Sequence, residues 1–395
     1  MPAARPLDGL LVVTLEHAIA APFATRQLAD LGARVIKVER PEVGDFARAY
    51  DTRVRGLASH FVWCNRSKES LTLDVKHPAA REILSHLLAK TDVLVQNLAP
   101  GAADRLGLSE EKLRPTHPRL ILCDISGYGA DGPYRDRKAY DLLIQSEAGF
   151  LSVTGTPEHP SKSGLSIADI AAGMYAYSGI LAALLSRTAS GQGSRVEVSM
   201  LEALGEWMSF PLYYTFEGQP PPPRTGAAHA TIFPYGPFTA GDGRTVMFGL
   251  QNEREWKNFC EIVLRRPELL SDPHYDSNTK RSANQAALAP ILGGVFSALT
   301  GEELVARLDE AGIANAHVND MTQLWAHPQL AARQRWQTIS SPAGPLPALL
   351  PPATSAAFSS RMDPVPALGE HTRGILSELG YSSTEIERLR RERAV

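Results

Sequence analysis

The residue whose setting most suggests chemistry is Asp169. It stands in Ser166-Ile-Ala-Asp169, directly before an apolar run from Ile170 to Leu185. That spacing reads as a capping-box variant, with Ser166 as N-cap and Asp169 in the first turn of a helix. The same position has a chemical use. A carboxylate beside a helix N-terminus is held ionised by the positive end of the dipole and by free N–H groups. A positioned, ionised aspartate is a competent nucleophile toward an activated acyl group. The spacing supports both readings. Gly127-Tyr-Gly129-Ala-Asp-Gly132 matches G-x-G-x-x-G after a strand. A dinucleotide fingerprint needs that turn to open a helix, whereas Pro133 and Arg135-Asp-Arg-Lys138 follow here. A glycine loop that admits close backbone approach fits better than a nucleotide dehydrogenase. His17, in Glu16-His-Ala-Ile-Ala-Ala-Pro22, either lines a cleft at a strand's carboxyl end or helps to start a helix. No His or Cys pair has metal-ligand spacing, so no metal site is expected.

Basic residues dot the strand ends and loops of the first half: Arg40, Arg66, Lys68, Lys76, Arg105, Arg137 and Lys138. Singly each reads as a surface charge. Together they suit a polyanion such as a nucleotide phosphate. Overall, 40 basic against 43 acidic residues give a net charge of −3. That balance disfavours nucleic acid as a partner. The three cysteines, Cys64, Cys123 and Cys260, form neither a disulfide framework nor a zinc site. They point to a reducing, cytoplasmic setting. Met1–Gly9 shows no apolar leader segment. The run from Ile170 to Leu185 is short for a span and is bounded by Asp169 and Arg187, so it reads as a buried core helix rather than a membrane segment.

These residues need elements to carry them. The chain has 395 residues, 44% hydrophobic and 21% charged, an ordinary globular composition with room for two domains. Strands are expected at Leu10–Leu15, Arg34–Glu39, Leu71–Asp74, Val93–Gln96, Leu120–Ile125 and Arg195–Ser199. Helices are expected at Ala18–Leu31, Pro78–Lys90, Ile167–Arg187 and Met200–Tyr213. Such alternation predicts crossover units, a mostly parallel sheet and an α/β fold. Four prolines in Gly218-Gln-Pro-Pro-Pro-Pro-Arg224 mark the best boundary. Beyond it come a strand at Thr245–Gly249 and helices at Glu253–Leu264, Asn284–Leu299, Gly301–Ala311 and Ser382–Arg393.

Several blocks together resemble one family, the class III CoA-transferases. They are Ala21-Pro22, Leu31-Gly32-Ala33 with Val35–Glu39, Asn65–Ser70 with Leu73–Lys76, Asp92–Asn97 with Pro100-Gly101, Ser126–Gly129, and Ala168-Asp169-Ile170. The resemblance implies a Rossmann-like large domain plus a small α/β domain, in an interlocked homodimer. It divides the chain into residues 1–217 (CoA-binding domain), 218–228 (linker), 229–325 (small domain) and 326–395 (a segment returning to the large domain). It implies that Asp169 attacks the thioester of a donor acyl-CoA to form a mixed anhydride. Departing CoA then returns to give an aspartyl-CoA thioester, which the acceptor carboxylate attacks. CoA thioesters are the substrates, and no permanent cofactor, metal or ATP is needed. By the same resemblance the CoA pocket includes His17, Ala20, Arg40, Leu73, Lys76, Asn97, Leu98, Arg105, Lys138 and Met200, and Tyr140 and Asp141 flank the reacting centre.

The same superfamily holds α-methylacyl-CoA racemases, whose base is a histidine just before an aspartate. Here that run is Ala139-Tyr140-Asp141, and tyrosine, with an ordinary pKa near ~10, is a poor base. Transferase is therefore the first reading. Oxalate-type members carry a glycine run in a lid. Phe248–Glu253 has one glycine, which implies a different or more rigid cover. Gly149–Gly155, Gly164–Gly173 and Ala228–Phe238 look most like the branch acting on C4–C5 dicarboxylates, with succinyl-CoA as donor and itaconate first, mesaconate next, as acceptor. A cation for the distal carboxylate is expected from Arg48, Arg66 or Arg224.

Overall fold

In the computed structural model, which describes residues 4–395, the short apolar runs of the first half form one sheet. Residues 1–3 of the stretch read for a leader lie outside it. Its strands are β1 (Leu11–Leu15), β2 (Arg34–Glu39), β3 (Lys68–Thr72), β4 (Val93–Gln96), β5 (Ile121–Ser126) and β6 (Arg195–Ser199). All pair in parallel, in the order β3-β2-β1-β4-β5-β6. The order reverses between β1 and β4, and a ligand site is expected beyond the carboxyl ends at such a switch point.

β3 starts earlier than its hydrophobicity suggests. Lys68 and Ser70 are buried because each meets a buried acid, Glu16 at 2.7 Å and Glu39 at 2.6 Å respectively. Polar residues at these positions hide the strand from an apolar pattern.

The helices that position the candidate site are α1 (Ala20–Asp30), α2 (Ala80–Leu88), α3 (Asp141–Glu147) and α4 (Ile167–Ser190). At 24 residues α4 is long and apolar enough to cross a membrane by length and composition. It packs instead on α1 and on β5 and β6. Two glycines permit the approach. A Cβ on Gly173 would lie 2.7 Å from the Ala20 carbonyl oxygen, and one on Gly179 would lie 2.8 Å from Val196 Cγ1.

The chain divides into two units, one of residues 1–148, 163–209 and 330–395, the other of 149–162 and 210–329. These limits differ from those expected. Residues 149–162 leave the large unit, the first boundary falls before the prolines, and the return begins at Leu330. The helix expected from Met200 to Tyr213 breaks into Met200–Trp207 and Ser209–Tyr214, and the unit boundary lies after Ser209.

The returning segment covers the edge strand β3. His371 N–H donates to the Ser70 carbonyl at 3.0 Å, and Thr372 Oγ1 accepts from Thr72 N–H at 2.9 Å. Ile375, Leu376, Ile386 and Leu389 then join Ile36, Leu71 and the buried face of α2 in one core. This satisfies an edge that would otherwise invite pairing.

The smaller unit has an antiparallel sheet of β7 (Tyr235–Thr239), β8 (Thr245–Gly249) and β9 (Asn315–His317). Its core stacks Phe238 on Phe248 at 4.4 Å, with Phe259 and Phe296 against them. β7 and β9 escape an apolar pattern because they hold few apolar residues. A further hairpin, β10 (Trp336–Ile339) with β11 (Leu346–Leu349), belongs to the large unit.

Candidate active site

Strand β1 delivers Glu16 and His17 into the turn before α1. Two side chains fix this turn. Asn97, just past β4, accepts from His17 N–H at 2.9 Å and donates Nδ2 to the His17 carbonyl at 2.9 Å. Asp45 accepts from Ala18 N–H at 3.0 Å. Ala18 has φ +61°, a left-handed conformation costly for a residue with a Cβ. The His17 ring stacks on Phe46 at 5.3 Å, and its Nδ1 is buried without a hydrogen-bond partner.

A buried charge network underlies the turn. Lys37 Nζ meets Asp45 at 2.8 Å and Glu16 at 3.3 Å, and Lys68 Nζ meets Glu16 at 2.7 Å. Burial opposes the charge on Glu16, but the two ammonium groups pull its carboxyl down to about 2. For Lys68 burial wins over the attraction of Glu16 and lowers it to about 8. Asp45 is held well below the carboxylate range, against its own burial, by Lys37 and by hydrogen bonds.

Asp169 lies in the first turn of α4, one helical turn from Gly173 on the same face. The close approach at Gly173 is what brings it to the start of α1. Ser166 occupies the N-cap position, but its side chain makes no capping bond. The cap comes from Asp141 instead. Its Oδ1 accepts from Ala168 N–H at 2.8 Å and Asp169 N–H at 3.2 Å, and its Oδ2 accepts from Gln145 Nε2 at 2.6 Å. Gln145, fully buried, accepts in turn from Ser163 N–H.

This arrangement overturns the expectation that the helix end holds Asp169 ionised. Burial raises its pKa, and the Asp141 charge raises it further, to about 7, while the Ala20 N–H favours the charged form. The first-turn N–H groups are occupied by another carboxylate, so the dipole's benefit goes to Asp141.

The other expected residues surround the carboxyl edge of the sheet. Arg40 follows β2, Leu73 and Lys76 follow β3, Asn97 and Leu98 follow β4, Arg105 lies on a short helix beyond them, Lys138 lies in the loop after β5, and Met200 follows β6. Leu73, Met200 and Ala20 are buried. Arg40, Lys76, Arg105 and Lys138 are exposed and, among the described residues, enter no ion pair. Tyr140 is 66% exposed and precedes Asp141 at the start of α3.

The three arginines offered for a substrate carboxylate are committed elsewhere. Arg48 grips Glu39 through Nε (2.9 Å) and Nη2 (2.7 Å), with its guanidinium 3.7 Å from the Phe61 ring centroid. Arg66, buried, grips Asp30 through Nε (2.9 Å) and Nη2 (2.7 Å). Arg224, in the smaller unit, donates to the carbonyls of Thr156 and Pro157. Sequence position could not reveal these partners, because Asp30 and Glu39 reach them only through the fold.

The glycine motif after β5 opens no helix. Residues 127–140 form a loop, with Gly129 N–H on Ser126 Oγ at 2.9 Å. In the smaller unit, the one glycine of Phe248–Glu253 ends β8, where a Cβ would lie 2.5 Å from the Tyr235 ring. Asn252 caps the helix that follows. Gly249 therefore serves close packing. All three cysteines are buried, and burial pushes the Cys64 and Cys260 thiols up to about 12. None is poised as a nucleophile.

Similarity to known proteins runs along nearly the whole chain. The family model described as CoA-transferase family III matches residues 7–372. A succinyl-CoA:glutarate CoA-transferase of Mus musculus is 33% identical over 393 residues, covering 98% of this chain and 89% of its own length. A succinyl-CoA–D-citramalate CoA-transferase of Chloroflexus aurantiacus is 30% identical over 397 residues, covering 99% and 98%. The crystal structure of a CAIB/BAIF family protein from Brucella suis is similar with a TM-score of 0.82 at 34% identity, covering 95% of this chain and 100% of that one. The chain belongs to CoA-transferase family III, and it is an enzyme of that class.

Proposed function

We propose that this enzyme moves CoA from succinyl-CoA to a C4–C5 dicarboxylate, with Asp169 as the nucleophile. The observation that carries the reading is the setting of Asp169. It is a half-buried carboxyl with raised proton affinity, next to the Ala20 N–H, in a unit where the exposed Arg40, Lys76, Arg105 and Lys138 follow the carboxyl ends of strands of the same sheet. A carboxylate with a pKa near neutrality is a stronger nucleophile than an ordinary one, yet stays substantially ionised at physiological pH.

Asp169 attacks the thioester carbonyl of the donor. The C–S bond breaks, CoA leaves as thiolate, and an aspartyl–succinyl anhydride forms. The thiolate attacks the aspartyl carbonyl, which releases succinate and leaves an aspartyl-CoA thioester. The acceptor carboxylate attacks that thioester to form a second anhydride, and CoA takes the acceptor acyl group. One thioester replaces another, so no external energy source enters. Asp141 fixes the start of α4 and keeps Asp169 basic, and Asn97 fixes His17 at the mouth of the switch point. Arg40, Lys76, Arg105 and Lys138 receive the CoA phosphates.

The acceptor reading rests on resemblance. Itaconate is the first candidate and mesaconate the second, and the relatives' named acceptors, glutarate and D-citramalate, are five-carbon dicarboxylates too. Because Arg48, Arg66 and Arg224 are occupied, the distal carboxylate meets some other donor. The same reading includes an interlocked homodimer in the cytoplasm. Large apolar side chains left open on the large unit, such as Leu143 on α3 and Leu185 on α4, support the dimer.

The test is an acceptor screen with succinyl-CoA, following new CoA esters by mass spectrometry. The reading expects transfer to itaconate, mesaconate, glutarate or citramalate. Transfer to none of them, or to monocarboxylates alone, rejects the acceptor class.

A further inference from the structure

We propose that Asp45 is a positioning residue for the reaction, holding the turn between β1 and α1 in its left-handed form so that the Ala20 N–H faces Asp169. The proposal rests on Asp169 being the nucleophile.

Ala18 is not glycine, yet its φ is +61°. Something outside the turn must hold it there. The one side chain that bonds its N–H is Asp45, through Oδ1 at 3.0 Å, and the same oxygen accepts from Ala47 N–H at 2.9 Å. The other oxygen, Oδ2, is held by Lys37 at 2.8 Å. Both side chains are fully enclosed, and Lys37 is fixed again by Glu16. Asp45 thus connects the rigid sheet to a strained backbone two residues before Ala20. Its carboxylate is enclosed and taken up by Lys37 and two backbone N–H groups, so it acts through the turn. If Ala18 relaxed to an ordinary φ, the chain after it would change direction and the start of α1 would swing away from Asp169.

The test compares the rate at which succinyl-CoA loads Asp169, read by peptide mass spectrometry after rapid quench. Asp45→Ala is expected to slow loading by about 10- to 100-fold, as a displaced catalytic geometry does. Asp45→Asn, which keeps an acceptor for Ala18, is expected to lose less. The decisive arm is Asp45→Ala with Ala18→Gly. Glycine removes the left-handed penalty, so loading recovers about fivefold. A merely structural role for Asp45 gives no such recovery. If Asp45→Ala does not fold, Ala18→Val in the otherwise intact chain serves instead. A β-branched residue deepens the strain, and loading slows. Loading within twofold of the parent in Asp45→Ala, no recovery with glycine, or no slowing in the valine variant would each overturn the proposal. A parent enzyme that never loads Asp169 overturns the nucleophile assignment itself, and this proposal with it.

Discussion

The Asp141 carboxylate accepts the backbone N–H groups of Ala168 and Asp169, at 2.8 and 3.2 Å. One acid thus caps the helix that carries the other and raises its affinity for a proton. A cap that is also a charge couples the local stability of α4 to the chemistry of its first turn.

The pH dependence follows from that coupling. With Asp169 near about 7, kcat/KM falls as pH drops below about 7, approaching tenfold per pH unit. Asp141→Asn keeps an oxygen for the two N–H groups but removes the charge. Its acidic limb moves to lower pH, and its stability falls by about 1 kcal/mol from the weaker cap. A pH–rate profile of both enzymes checks this. An unmoved limb argues against Asp141 as the cause.

Stability carries the opposite sign at Asp169. Its folded pKa lies above the ordinary value of 3.8, so its ionisation disfavours folding as pH rises from about 4 through about 7. Asp169→Asn should therefore be more stable than the parent at pH 8, by on the order of 1–3 kcal/mol, and equal to it near pH 4. Thermal melts at the two pH values read this directly. A destabilised variant at pH 8 would show that the carboxylate is held favourably, as the helix end alone would have it.

Gly173 sets the distance between α4 and α1. A Cβ there would sit 2.7 Å from the Ala20 carbonyl oxygen and 2.9 Å from Phe23 Cδ1. Gly173→Ala should cost about 1–3 kcal/mol through overpacking. It should lower kcat about 10- to 100-fold, because Asp169 lies one turn away. Melting temperature and turnover measured together test both parts.

Arg66 and Arg40 should behave as opposites. Arg66→Ala leaves Asp30 buried with only Arg26 and should cost about 3–5 kcal/mol, while the KM for the acceptor changes less than twofold. Arg40→Ala should leave stability within about 0.5 kcal/mol. It should raise the KM for acyl-CoA severalfold, more strongly at low salt, since exposed charges are screened. A large acceptor KM effect in Arg66→Ala would restore that residue as a substrate ligand.

The sheet was largely legible in the sequence. Arg34–Glu39, Val93–Gln96 and Arg195–Ser199 form the strands their apolar or β-branched residues predict, since a parallel strand covered on both faces has little freedom in composition. Lys68–Thr72 was misplaced because its polar residues are buried against partners from distant strands. The same limit governs the site. Asp169 was visible as a carboxylate at a helix start, but its proton affinity was read with the wrong sign, because the capping acid lies in another helix. Arg48 and Arg66 looked available for a substrate, and only the fold shows Glu39 and Asp30 waiting for them.

The most direct test of the account is the mass of the peptide containing Asp169 after the enzyme meets succinyl-CoA in the presence of hydroxylamine. The account predicts a hydroxamate at Asp169, formed only with donor present, absent from Asp169→Ala, and accompanied by loss of transfer in that variant while it remains folded. Substantial transfer by Asp169→Ala, or trapping at another residue, would contradict it.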